Sequence, residues 1–230
     1  SRAEHVQKAR KELVAAKRVL IIGGGLVGVE LSAEICKHWR AQEITLLHSG
    51  DKLIPRNNAK TIKYAEIFLK RNGVNLILGE KMKDVKNGVC ITDKGKKIKA
   101  DIVFLTTGIV PNFEFMKKNF SNLLNDSHQI IVNENLQLKG FERIFAAGDI
   151  TSCSIEKTAQ NAEKQAKIVV KNILTLENGG KMIDYKCKKT PLVISLGKYD
   201  GIFEAGDFVF GGKIPALMKW MIERWVMWRH

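Results

Sequence analysis

The stretch 17–34, KRVLIIGGGLVGVELSAE, constrains this chain more than any other. Its apolar run Arg18–Ile22, rich in β-branched residues, reads as a strand buried on both faces. Gly23, Gly25 and Gly28 follow in the spacing G-x-G-x-x-G, and Val29, Leu31, Ala33 and Ile35 then open a helical segment. In this pattern the first glycine permits a tight turn, the second lets the backbone approach a pyrophosphate, and the third lets helix pack on strand. The helix N-terminus offers free N–H groups and a positive dipole end to phosphates. A tight turn that binds nothing is the alternative. A strand before, a helix after and a second strand beyond favour a dinucleotide site.

The pattern continues with a strand at Ile44–His48, entered through a turn at 41–43, and a helix at Lys60–Asn72. That helix has the apolar stripe Ile62, Ala65, Ile67, Phe68 and Leu69, and Asn72-Gly73 closes it. Val74–Leu78 is a third strand. Short pieces at Lys83–Lys86, Gly88–Thr92 and Lys96–Ala100, with turns at Asn87-Gly88 and Asp93–Gly95, predict an antiparallel meander. Asp101–Thr106 then reads as a continuous apolar strand closed by Thr107-Gly108, which completes a β-α-β-α-β unit with an inserted meander. Ser1–Ala16 reads as a lead-in helix. Further on, RIFAAGDIT at 143–151 predicts a buried strand, Ile144–Ala147, ended by Gly148-Asp149, and Thr158–Leu176 a long helix. Pro191–Leu196 and Gly201–Ala205 read as strands, and Pro215–Trp228 as a closing helix.

A hydrophobic content of 45% supports a packed core. The net charge of +14 comes mostly from scattered lysines, with no arginine-and-aromatic stripe, so a solvated surface is preferred and no nucleic-acid partner is expected. Cys36, Cys90, Cys153 and Cys187 form neither C-x-x-C nor zinc spacing, so no metal site is expected and reduced thiols are, as in the cytosol or the mitochondrial matrix. No run is long enough to cross a bilayer. The chain begins with Ser1, which leaves open a removed targeting segment or an omitted N-terminal region.

Taken together, RVLIIGGGLVGVELSAEI, FLTTGIVPN and IFAAGDIT resemble the flavin-dependent pyridine nucleotide oxidoreductases with two dinucleotide-binding domains. The likeness is strongest to the type II NADH:quinone oxidoreductases and the apoptosis-inducing-factor-like proteins, which include the ferroptosis suppressor. TPLVISLGKYDGIF resembles their interface domain. The resemblance implies an α/β fold: a Rossmann-like NAD(P)H-binding unit over 17–125, the returning half of an FAD domain over 126–180, and a C-terminal interface region with an amphipathic helix over 181–230. It implies hydride transfer from NADH or NADPH to FAD and then to a quinone. Gly23, Gly25 and Gly28 match the phosphate loop. Glu30 matches an acid near the nicotinamide, or is simply a carboxylate in a first helical turn. Gly108 matches a glycine that crosses the cofactor, or ends a strand. Gly148 and Asp149 match the flavin motif, with Asp149 accepting from a ribityl hydroxyl or capping a turn. In KTAQNAEKQ, Ala159, Gln160 and Gln165 match the segment beside flavin and quinone, while Lys164 departs from it. Lys157 and Gln160 are the candidate catalytic residues; the alternative for Gln160 is a solvated face.

Two departures stand out. His48 occupies the position about 20 residues beyond Gly28 where an acid usually holds the ribose 2′-hydroxyl. Without that carboxylate, weak discrimination between NADH and NADPH is expected, unless His48 is only an exposed strand end. The family's own first G-x-G-x-x-G for FAD has no counterpart here. An omitted N-terminal segment, a second chain, or a catalytically degenerate nucleotide-binding or structural subunit of a mitochondrial complex would each account for this. In the closing helix Leu217, Trp220, Met221, Trp225 and Trp228 share one broad face, flanked by Lys213, Lys219 and Arg229. That pattern fits a membrane interface, at a mitochondrial membrane first and a cytosolic membrane surface second, or packing against protein.

Overall fold

The computed structural model describes the backbone of residues 2–39, 42–86 and 88–229, and the side chains of 3–39, 42–86 and 88–228. The expected turns at 41–43 and Asn87-Gly88, the helix start at Ser1 and the side chain of Arg229 fall wholly or partly outside the described residues. A lead-in helix α1 (Arg2–Ala15) precedes β1 (Arg18–Ile22), which pairs in parallel with β2 (Glu43–His48) and with β7 (Ile102–Leu105). β2 pairs in parallel with β3 (Asn75–Leu78), so the sheet runs β3-β2-β1-β7. Parallel neighbours need crossovers. Helix α2 (Leu26–His38) makes the first and α3 (Ala59–Arg71) the second, with the Asn58 side chain capping α3 on the Lys60 N–H at 3.0 Å. On α3, Thr61, Ala65, Phe68 and Leu69 are buried, while Ile67 of the predicted stripe is exposed.

The third crossover is the predicted meander, β4 (Met82–Lys86), β5 (Val89–Thr92) and β6 (Lys97–Lys99), antiparallel in the order β4-β5-β6. Alternation along β1 shows why it sits there. Val19 and Ile21 join the core formed with α2 and α3, whereas Leu20 and Ile22 join Leu47, Ile77 and Cys90 on the other face. Beyond 190 the chain adds β8 (Leu192–Ser195), β9 (Gly201–Ala205) and β10 (Phe208–Gly211), antiparallel in the order β10-β9-β8, then α6 (Lys213–Arg229). β10 has no counterpart in the sequence reading. Ile194, Leu196 and Ile202 complete the α2–α3 side of the core. Glu204, almost fully buried, accepts from Asn57 Nδ2 at 3.2 Å and the Asn58 N–H at 3.1 Å, tying β9 to the start of α3.

Two compact units result, one of residues 1–108 and 191–230, the other of 109–190. The boundary expected at 125 lies inside the second unit, because Met116 and Leu123 bury themselves with Ile130 and Leu138. The region expected as a separate 181–230 element divides at 190, because its strands pack on α2 and α3. The second unit also holds a single-turn helix α4 (Glu114–Lys117), a 3₁₀ turn at 121–123 and α5 (Ala159–Glu177). The strand expected at Ile144–Ala147 is reduced to one isolated bridge, Gln137 with Phe145, and Ile144 is 43% exposed. A buried strand needs neighbours on both edges, and the described residues of this unit contribute only isolated bridges.

Candidate functional site

At the end of β1 the glycines have separate duties that the backbone makes visible. Gly23 has φ +115°, and a Cβ there would stand 2.4 Å from the Thr106 carbonyl oxygen. A Cβ on Gly28 would stand 1.8 Å from the Gly23 oxygen, so no other residue fits without moving the helix off the turn. A Cβ on Gly25 would meet nothing within 4 Å. Gly25 is the N-cap of α2 and supplies no side-chain cap, so the first-turn N–H groups of Leu26, Val27 and Gly28 have no acceptor within the helix. Two glycines are thus required by the protein itself, and the middle one leaves room in front of a helix N-terminus suited to a diphosphate. The residues present fit a dinucleotide.

Gly24 was not among the expected site residues, yet like Gly23 and Gly28 it has no room for a Cβ. A Cβ there would stand 2.5 Å from Leu53 Cδ2 and 2.8 Å from His48 Cγ. Its N–H donates to His48 Nδ1 at 3.1 Å, and its carbonyl accepts from the Ile54 N–H at 2.8 Å. Ile54 has φ +38°, rare for a β-branched residue and sustained here by that bond. His48 therefore faces inward. Because Nδ1 accepts, the neutral ring carries its proton on Nε2, which is buried beside the Lys52 backbone. Burial pulls the His48 pKa below its ordinary value. The reading of His48 as an exposed strand end is corrected: the ring holds the loop.

Thr106 was also missed. Its hydroxyl lies 2.8 Å from the Gly23 oxygen and 3.0 Å from the Ile22 oxygen, sharing its single proton between them and clamping β7 to the turn. The only local signal is a threonine pair after an apolar strand. Gly108, two residues on, has φ +110° and open space where a Cβ would be. Glu30 points elsewhere: Oε1 accepts from the Ser195 N–H of β8 at 3.0 Å and pairs with Lys219 Nζ of α6 at 3.2 Å. In this structure it fastens α2 to the C-terminal sheet and helix. The first unit thus gathers Gly23, Gly25, Gly28, His48 and the strand end before Gly108 around one turn, with Glu30 bound away from it.

In the second unit Gly148 has φ +86°, and its N–H donates to Gln165 Oε1 at 2.7 Å. Gln165 is buried, and Thr151 Oγ1 lies 3.2 Å from the same oxygen and 2.9 Å from the Gly148 carbonyl. This network holds the turn so that Asp149 is exposed. Lys157 Nζ donates to the Thr151 carbonyl at 2.6 Å and the Cys153 carbonyl at 3.2 Å, clamping the stretch after the turn. Gln160 lies exposed in the first turn of α5, whose N-cap Thr158 accepts from the Asn161 N–H. Among the described residues no cluster of metal-ligating side chains occurs.

Residues 1–166 match the family model described as pyridine nucleotide-disulphide oxidoreductase. The chain is 31% identical to ferroptosis suppressor protein 1 of Taeniopygia guttata, over 91% of this chain and 59% of that protein. It is 33% identical to apoptosis-inducing factor homolog B of Dictyostelium discoideum, over 93% of this chain and 62% of that protein. It spans about three-fifths of the length of these curated relatives. Among solved structures, the water-forming NADH oxidase of Lactobacillus brevis bound to NADH superposes with a TM-score of 0.67 at 23% identity, covering 87% of this chain and 45% of that one. An NAD-dependent persulfide reductase from A. fulgidus gives 0.68 at 22%, covering 89% and 39%. At those identities the likeness is one of fold.

Proposed function

Since this chain belongs to the pyridine nucleotide-disulphide oxidoreductase family, we propose that it is the NAD(P)H-binding part of an FAD-dependent NAD(P)H:quinone oxidoreductase. The observation that carries this reading is the open space at Gly25 before an uncapped helix N-terminus, beside two glycines that the fold itself requires. The first-turn N–H groups of α2 would hold the diphosphate, and Gly108 would let the nicotinamide end pass close to the backbone. The Gly148–Asp149 turn would offer the Asp149 carboxylate to a flavin ribityl hydroxyl. Bound flavin would supply the redox chemistry, accepting a hydride and passing electrons singly or in pairs. His48 presents no carboxylate to the ribose 2′ position, and Lys52 is close by, so NADH and NADPH bind comparably.

The rest of the flavin site comes from a segment outside this chain. Helix α5 supports this: it buries Asn161, Gln165 and Asn172 but leaves Val170, Ile173 and Leu174 exposed, an apolar face suited to a covering sheet. The quinone is reached at a membrane surface. Trp220, Met221, Trp225 and Trp228 on α6 are exposed beside lysines of a chain with net charge +14, the pairing of aromatic and basic residues that an anionic interface attracts. No described helix is long and apolar enough to cross a membrane. A mitochondrial membrane is the proposed location, with a cytosolic membrane surface second.

Titration calorimetry with NADH and NADPH tests the first part. Similar dissociation constants are expected. A preference above about a hundredfold for NADH, roughly 2.7 kcal/mol, overturns the account of His48, and failure to bind either overturns the oxidoreductase reading. Sedimentation with anionic vesicles tests the last part: binding is expected, with Trp220→Ala and Trp228→Ala each weakening it.

A further inference from the structure

Helix α6 meets the body of its unit only near its start. Pro215 and Ala216 are buried there, close enough to Gly201 that a Cβ on that glycine would stand 3.1 Å from the Ala216 nitrogen. Every residue from Trp220 to Trp228 is exposed, so Lys219 is the last described residue of α6 that the body covers in part. Its Nζ lies 3.2 Å from Glu30 Oε1 on α2, and both side chains keep about 30% of their surface open to solvent. Glu30 stands four residues after Leu26, the first residue of α2, which is roughly 6 Å along the helix axis. The Lys219–Glu30 pair therefore sits within about one turn of the N–H groups suited to a diphosphate. Helix α2 does not rely on Lys219 for its place. The Ser195 N–H donates to the same Glu30 oxygen at 3.0 Å, and Ser195 Oγ lies 3.1 Å from Glu34 Oε1 one turn further along. The ion pair can open while α2 stays on β8. Beyond Lys219, the Arg224 guanidinium stacks 4.7 Å over the Trp220 ring, so the projecting part of α6 offers cation and aromatic surface together.

We propose that the Lys219–Glu30 pair is a latch between the nucleotide site and a lipid surface: anionic headgroups draw Lys219 off Glu30, and the carboxylate left uncompensated beside the diphosphate weakens NAD(P)H binding. The proposal rests on α2 seating the diphosphate and on α6 meeting a membrane, as proposed above. With the latch closed, the ammonium cancels the Glu30 charge near a ligand that carries two negative charges of its own. With the latch open, one carboxylate faces that ligand across about a helical turn, and Coulomb repulsion at this range is worth about three- to tenfold in affinity after screening. Lys219 is placed for the exchange. It precedes Trp220, and its flexible stem lets the ammonium follow the helix to a headgroup phosphate or carboxylate. Lys219 acts through Glu30 and is a positioning residue. Linkage makes the effect reciprocal, so bound nucleotide holds the latch closed and loosens α6 from anionic lipid by the same factor.

The full chain is titrated with NADH by calorimetry in three settings: free, with phosphatidylcholine vesicles, and with vesicles that also contain phosphatidylserine. The dissociation constant should rise about three- to tenfold on the anionic vesicles and stay unchanged on the zwitterionic ones. Lys219→Met should show the weakened value already in solution, with no further change on vesicles, and Lys219→Arg should restore the wild-type response. Glu30→Gln should bind NADH at least as well as wild type and ignore the vesicles, which a merely structural role for the pair does not produce. An equal wild-type constant in all three settings, or Lys219→Met binding like wild type, overturns the latch while leaving nucleotide binding intact. No NADH binding by free wild type overturns the nucleotide reading and the latch together. Sedimentation of the same samples separates the remaining case: a chain that stays off the anionic vesicles overturns the membrane reading and with it the release. The wild-type comparison needs no variant and decides the matter if a variant fails to fold.

Discussion

Helix α2 in the first unit and α5 in the second make opposite use of their faces. α2 buries Val29, Ala33, Ile35 and Cys36, and among its buried residues only Ser32 is polar. α5 buries Asn161, Gln165 and Asn172, and sends Val170, Ile173 and Leu174 into solvent. The first helix has a sheet on each side to pack on. The second lies against loops, whose unpaired backbone groups need hydrogen-bonding partners, and amides supply them: Asn172 holds Ile183, and Gln165 holds Gly148. Burying an aliphatic side chain contributes about 1.5–3 kcal/mol, so the outward face of α5 is an unused source of stability of several kcal/mol. A helix can therefore have its register set by polar contacts to its own unit while its hydrophobic drive is left for a different partner. The first unit carries a site that its own core supports. The second carries a turn held by a hydrogen-bond network, with Ala146 and Ile150 on either side of it packed on a small core.

The sharpest test of that contrast is at the glycines. Gly28→Ala forces a Cβ to within 1.8 Å of the Gly23 oxygen. It should destabilise the first unit by about 1–3 kcal/mol and lower NAD(P)H affinity more than about a hundredfold. Gly25→Ala enters open space and should leave stability within about 0.5 kcal/mol while costing about tenfold in affinity. Urea unfolding and calorimetry separate the two effects. Equal behaviour of both variants would mean that the loop is not divided between fold and ligand as described.

Gln165→Leu removes the acceptor for the Gly148 N–H and should cost about 1–3 kcal/mol. Hydrogen exchange should show faster opening at Gly148 and Thr151, with the amides of β1 and β2 unchanged. Acceleration across both units would break the contrast between them.

The smallest effect is that of pH on His48. Its folded pKa lies below the ordinary value of 6.5, so between the two values the unfolded chain binds more protons than the folded one. Stability should therefore fall as pH drops from about 6.5, and the Gly24 bond should weaken with it. His48→Asn keeps an acceptor without a titrating ring and should flatten the profile. A profile unchanged by that substitution would place the titration elsewhere.

Much of the first unit was legible because its signals are local. The spacing of Gly23, Gly25 and Gly28, the β-branched run before them and the turn at Asp93–Gly95 each act within a few residues. Ile144–Ala147 misled for an instructive reason. Its composition is that of a buried strand, but burial is conferred by neighbours, and among the described residues its only bridge is to Gln137. β10 was overlooked since Phe208–Gly211 is a four-residue edge piece, paired among the described residues only with β9. Glu30, positioned as an acid near the cofactor by motif alone, found Ser195 at a separation of 165 residues.

Local chemistry in the chain settled that a strand, a glycine turn and a helix would meet in the order that seats a diphosphate, because φ preference and side-chain volume act at each residue regardless of what surrounds it. Three-dimensional packing decided which way His48 turns, what Glu30 holds and where the units divide. Those outcomes depend on contacts between residues far apart in the chain, and no property of either residue alone announces its partner.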